Sequence, residues 1–351
     1  MSHRERFDAY QRRHPPLGFA LGVLYKAFDD RAPYLAALVT YYAFVSIFPL
    51  LLLFVSIMGF VLQSDPSLRV HIVNSAVGDL PAIGTLLKQN IQGFKGSTAG
   101  VVLGVIGVGY GGLGATQASQ YAFNHIYAVP RNEQPNPLRS RVRSLGLLVI
   151  LGTAILVSTG INVLIANRGS FSSPVGTGLA VIGYIASLAL NVALFSVGFQ
   201  VLTATELRWR DVIAGGVVGG AMWEILQTLG SLYVVHEVRH GSALYGVFGV
   251  VLATIAWVYL VSLVAMLSAE INVVWERRLW PRSLLSPFTD RMEPTAADLA
   301  AYESYARAPR FKGWQRIHVE FSPPGRSDGT ADHEGPDRPP AGVGGDVTPP
   351  A

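Results

Sequence analysis

Glu224 is the residue whose type and position most invite chemistry. It falls at the middle of an apolar run over 212–235, and its neighbours at helical spacing are Gly216, Gly220, Gln227 and Ser231. An acid left bare at the centre of a bilayer costs roughly 2.5–3.5 kcal/mol on insertion scales. The small, polar face of that helix therefore turns into the protein and away from lipid. Two readings fit: a carboxylate that handles a proton or a substrate group, or a hydrogen-bonded structural acid. Glu270 lies near the end of the run over 243–274, where reaching the interface costs less. Asn162, Asn191 and Gln200 add amides of the kind that bond between membrane helices. Two acids and several amides suit a polar pathway through a helical bundle.

A second motif points to different chemistry. His236-Glu237-Val238-Arg239-His240 matches H-E-x-x-H, the helix motif of zinc proteases. That chemistry needs both histidines on one helix face, a third ligand, and the Glu beside a metal-bound water. Gly241 ends the run, and His71, Asp65 or Asp79 could complete the site only by folding over. The competing reading is a chance match at a polar turn, and no metal or other cofactor is expected. The glycine run GYGGLGA at 109–115 has no preceding strand and no following Lys-Ser/Thr, so it is not a phosphate loop.

The elements that must carry these residues are membrane helices. Residues 34–62 hold no charge over 29 positions, and about 20 apolar residues suffice to cross a bilayer. Pro49 in that run predicts a kink, with Ser46 placed to satisfy a freed carbonyl. Further spans are predicted at 98–122, 145–166, 178–203, 212–235 and 243–274, six in all. The second carries a small-residue stripe, Gly100, Gly104, Gly107, Gly111, Ala115 and Ala118, that permits close helix packing. A short helix over 17–28 is expected to lie in the interface, with a plain cytosolic helix as the alternative. The loop 63–97 reads as one or two amphipathic helices, a candidate lid.

Only 14% of the 351 residues are charged, against about a quarter in soluble proteins. The deficit and a mean hydropathy of +0.36 describe a polytopic membrane protein with polar ends. The absence of cysteine excludes disulfides, thiolate catalysis and Cys-ligated metal. Lys and Arg number twelve in the N-terminal segment with the second and fourth loops, and five in the first, third and fifth loops. By the positive-inside rule both termini are cytoplasmic, with Trp209, Trp275 and Trp280 as an interfacial belt on that side. Thr295 and Asp298 form a capping-box pattern for a short helix through Tyr305. From about 321 the composition is that of a disordered cytoplasmic tail. The expected organisation is a cytoplasmic segment 1–32, a membrane domain 33–280 and a cytoplasmic tail 281–351.

Several segments, taken in order, resemble the YihY/BrkB membrane proteins, also labelled virulence factor BrkB-like. They are Tyr41-Tyr42 through Ser46 to Pro49, Gly114-Ala115 through Phe123-Asn124 to Tyr127, and Arg208-Trp209-Arg210-Asp211 leading to Ala214-Gly215. Tyr245-Gly246 to Gly249, and Trp257 with Tyr259 leading to Ala269-Glu270 and Asn272, complete the set over about 20–280. Ser268 departs from the pattern, standing where the family usually has Gly, and the H-E-x-x-H segment is not part of it.

The resemblance implies a six-span plasma-membrane protein linked to the cell envelope, with transport as its expected activity and no assigned substrate. Tyr41, Tyr42 and Asn124 then join Glu224, Glu270 and Gln227 as candidates for a substrate or proton pathway. The ribonuclease label that some members carry finds no support here: there is no His/Asp metal cluster, and the basic residues follow topology. The expectation is an all-α bundle of six spans, not an enzyme. It would support envelope integrity by moving a lipid-linked or small polar solute, with lipid and that solute as partners and no nucleic acid. A non-transporting scaffold is the alternative, and a zinc hydrolase using His236, Glu237 and His240 the remote one.

Overall fold

A computed structural model describes residues 8, 10–61, 98–166, 173–240, 246–283 and 294–321. Within these the chain is helical, with no strand. In order come α1 (Pro15–Asp29), α2 (Ala32–Val61), α3 (Thr98–Ile126), α4 (Pro137–Ala166), α5 (Ser173–Leu202), α6 (Trp209–His240), α7 (Gly246–Arg277) and α8 (Ala296–Arg307). The loop 62–97 and the tail beyond 321 lie outside the described residues.

Five helices among the described residues are long and apolar enough to cross a membrane: α2, α3, α5, α6 and α7. Their outward faces expose large apolar side chains such as Ile106, Ile182 and Ile185, a surface that suits lipid and not water. The helix α4 exposes Val149 in the same way. It starts at Pro137, before the predicted 145, so Arg139, Arg141 and Arg143 ride its first turns. Proline suits that first position, where its missing N–H costs no helix bond.

Each of α2 to α7 packs on its neighbour in the chain, and α7 returns to α2 to close a ring; α3 also touches α5 and α7. The small-residue stripe of α3 does what its spacing promises. A Cβ on Gly107 would sit 2.4 Å from Pro49, and one on Gly111 would sit 2.6 Å from Ser46. The two backbones approach because nothing stands between them. Gly114 adds to the same approach, since a Cβ there would sit 2.6 Å from the Tyr42 ring. The helix α2 runs on through Pro49, and the Ser46 hydroxyl bonds to the Ala43 carbonyl at 2.7 Å.

The core gathers at one end of the ring, where α2, α4 and α6 begin and α3, α5 and α7 finish. Ala36, Ile126, Phe199, Val212, Met266 and Val273 are buried there together, with Ala27 of α1 against them. Three non-glycine residues take left-handed backbone at this end: Arg31, Ala128 and Arg278, following α1, α3 and α7. That conformation terminates helices but disfavours side chains with a Cβ. The helix α8 closes the same end, capped by the expected reciprocal bonds between Thr295 and Asp298.

Candidate functional site

Two acidic sites form within the bundle, and they share no partner. The first is Glu224. Its Oε1 accepts hydrogen bonds from Ser187 Oγ at 2.9 Å and Asn191 Nδ2 at 2.8 Å, both from α5. Ser187 and Asn191 stand four residues apart, one above the other on one helix face. The face that brings Glu224 to them is built of glycine: a Cβ on Gly216 or Gly220 would collide with Ser196 or Val192 of α5. The same two helices form an open apolar groove of about 490 Å³, lined by Ile185, Leu188, Val192, Val217 and Ala221, with Glu224, Ser187 and Asn191 not among its lining residues. An acid held by two neutral donors thus shares a helix pair with a lipid-facing groove. Gln227 lies one turn further along α6, half-buried.

The second site is built around Glu270, which is wholly buried near the end of α7. Lys26 of α1 reaches it, with Nζ 3.1 Å from Oε2. The same ammonium pairs with Asp30 and donates to the Ile126 carbonyl at 2.9 Å. Burial by itself would depress the Lys26 pKa, but Glu270 and Asp30 outweigh it and hold it above the ordinary lysine value. Tyr305 of α8 lies over this group, its ring centroid 5.8 Å from Nζ. Burial, and then the nearby Asp30 and Asp29, push the Tyr305 phenol up.

Beside this cluster, Arg282 is also buried. It donates to Asp29 at 2.6 Å and to Asp298 at 2.9 Å, tying α8 to α1. Burial opposes its charge, yet Asp29 and Asp298 more than compensate and raise its pKa. Asn272, two residues past Glu270, accepts from Gly215 N at 2.6 Å and donates to the Tyr127 hydroxyl at 3.2 Å. Burial drives the Tyr127 phenol up, with Asn272 pulling the other way.

The remaining candidates are scattered. Asn124 is buried, and its Oδ1 accepts from Ala204 N at 2.7 Å, tying the end of α3 to the turn after α5. Tyr42 faces α3, whereas Tyr41 is exposed on the outside of the bundle. Pro49 packs on Gly107. His236 and His240 fall within α6, which continues further than predicted; their side chains lie outside the described ones. Among the described residues no group of three or more His, Cys, Asp or Glu is placed to hold a metal.

Sequence reasoning missed Lys26, Asp30, Ser187 and Arg282. Lys26 left one trace, as the lone charge in the apolar stretch 17–28.

The sequence matches the family model for virulence factor BrkB over residues 23–291. The chain belongs to the virulence factor BrkB family. Among relatives, it is 26% identical over 210 residues to a UPF0761 membrane protein of Ralstonia nicotianae, covering 57% of this chain and 46% of that one. It is 25% identical over 279 residues to one of Nitrosospira multiformis, covering 76% and 63%. The chain therefore spans less than two thirds of the length of these relatives. It is also 24% identical over 251 residues to the ribonuclease-like protein YfkH of Bacillus subtilis, covering 69% and 90%. No solved structure gives a significant match.

Proposed function

We propose that this BrkB-family membrane protein is a transporter or flippase-like protein of the plasma membrane that supports envelope integrity. It has six spans, α4 being the sixth, and both termini in the cytoplasm. The sixth span rests on the uncharged run 145–166 and on the way α4 bridges α3 and α5 in the ring. The orientation rests on the arginines that crowd the end where α1 and α8 meet the bundle.

The observation that supports the transport reading is Glu224, held by Ser187 and Asn191 between α5 and α6, the same helix pair that forms the apolar groove. A scaffold has no need of an acid near the middle of a span. A solute with an apolar tail and a polar or cationic head finds both surfaces in one place. On this reading Glu224 receives the polar or cationic group of the solute as the bundle opens. The protein is then not an enzyme, and the ribonuclease-like name stays with YfkH.

The test is Glu224→Gln, which keeps the size and one acceptor while removing titration. The variant is assayed for thermal stability and for rescue of envelope stress across a range of pH, with Glu270→Gln in parallel. The expected result is a folded protein that loses pH-dependent rescue. Full rescue at every pH by a well-folded Glu224→Gln protein would favour the scaffold.

A further inference from the structure

The Glu270 cluster has an unbalanced charge. Glu270, Lys26 and Asp30 are respectively 0%, 1% and 2% exposed, so water screens none of them. Two carboxyls face one ammonium. Among the described residues, no other cation makes ion-pair contact with either carboxyl. Arg282, the nearest other buried cation, is already engaged by Asp29 and Asp298. Arg277 donates to the Tyr127 carbonyl at 2.8 Å. With both carboxyls ionised, the cluster would bury a net negative charge, which costs far more than a neutral arrangement.

Hydrogen bonding tells the same story. Lys26 donates to Asp30 and the Ile126 carbonyl and lies 3.1 Å from Glu270 Oε2 as an ion pair. Among the described residues Glu270 Oε1 has no hydrogen-bond donor, Oε2 has only the Lys26 ammonium beside it, and the buried Tyr305 hydroxyl has no partner. One lysine thus serves two buried carboxyls, with Glu270 Oε1 and the Tyr305 hydroxyl left over. Bare carboxylate oxygens in such a place are rare, because an unsatisfied buried polar atom costs about 1–3 kcal/mol.

We propose that Lys26, Asp30 and Glu270 form a proton-binding site at the α1–α7 junction, taking one proton between the two carboxyls. The proton comes from the aqueous phase and bonds to a carboxylate oxygen. The site then holds one ammonium, one carboxylate and one carboxylic acid, with no net charge. Releasing the proton leaves two like charges with one counter-ion, which favours parting α1 from the end of α7. The groups facing the site are Tyr127 after α3 and Tyr305 of α8, with Asp29 at the end of α1 and Arg282 after α7 next to Tyr305, and Tyr25 and Asp298 beyond them around Arg282. Arg282 and its two acids stay paired whether or not the proton is present. This site does not rest on the transport reading, since it titrates whatever the bundle carries.

The arithmetic makes an unusual prediction. Removing either acid leaves one ammonium and one carboxylate, a neutral pair with no need of a proton. Asp30→Asn and Glu270→Gln should therefore each abolish the same titration. A single carboxyl that is protonated merely because it is buried would instead disappear only with its own substitution.

The experiment is infrared spectroscopy of the full chain in lipid nanodiscs, titrated from mildly acid to alkaline pH. Amide hydrogen exchange of α1, corrected for the intrinsic effect of pH, is measured on the same samples. The wild type should show a carboxylic-acid C=O band that is lost on going alkaline, together with faster exchange in α1. Both changes should be absent from Asp30→Asn and from Glu270→Gln. With any band lost in Glu224→Gln subtracted first, a wild-type band that persists at full amplitude in either Asp30→Asn or Glu270→Gln overturns the shared site, as does its absence from the wild type. Since neither readout depends on transport, failure here leaves the Glu224 reading intact, and the converse also holds.

Discussion

Glu224 and Glu270 are both acids on membrane helices, but the protein holds them in opposite ways. Neutral donors from one neighbouring helix hold Glu224, while Glu270 is packed against a lysine from outside the ring. Removing a neutral donor should cost little, because interhelical bonds in membranes average about 0.6 kcal/mol. Asn191→Ala is therefore expected to leave thermal stability nearly unchanged while altering pH-dependent rescue. Lys26→Met should behave otherwise, since it strands two buried carboxyls. The expected loss is about 3–5 kcal/mol, read by thermal unfolding in lipid and shrinking toward acid pH as the carboxyls take protons. Lys26, Tyr127 and Tyr305 all hold their protons more tightly folded than unfolded. Their contribution is complete below the ordinary values, about 10 for tyrosine and lysine. It is lost as pH climbs past those values through the raised ones. Melting temperature should accordingly fall steeply at alkaline pH, and less so in Tyr305→Phe. Of these residues only Glu224, Glu270 and Asn191 stood out in the sequence. A polar or acidic type inside an apolar span is costly, most of all at midspan as for Glu224 and Asn191, and that cost is visible without coordinates. Lys26 and Ser187 matter because of what lies opposite them, which no one-dimensional pattern records.

At the scale of the helix, the glycines of α3 were legible because small residues at helical spacing have one purpose in lipid. What they pack against was not legible, and it proves to be Pro49, Ser46 and Tyr42 of α2. Gly111→Ala should therefore destabilise by about 1–3 kcal/mol through overpacking. Gly109→Ala, with open space around it, should be neutral or slightly stabilising in the same melting assay. The ends of the helices were the least readable part. Arg139 to Arg143 look like a linker because they are charged, but helical backbone tolerates charge once it leaves the hydrocarbon. The stops after α3 and α7 use Ala128 and Arg278 in a conformation that glycine adopts at less cost. Ala128→Gly is expected to raise stability by up to about 1 kcal/mol.

For the whole molecule, apolar run length and charge asymmetry made a helical membrane protein plain from the sequence, because hydrocarbon thickness and desolvation dictate both. The closed ring and the junction of α1, α7 and α8 depend on contacts across up to 270 positions of chain, such as Gln11 to the Arg282 carbonyl at 2.6 Å, and periodicity carries no trace of these. The central claim is that Glu224 and its groove move a solute across the bilayer. Its most direct measurement compares the distribution of envelope lipids and polysaccharide precursors between the two membrane leaflets. The cells compared would lack the protein, carry the wild type, or carry Glu224→Gln at equal abundance. The account predicts that a lipid-linked or small polar species accumulates on one side without the protein, clears with the wild type, and accumulates again with Glu224→Gln. An unchanged distribution in all three strains, or full clearance by Glu224→Gln, would contradict it.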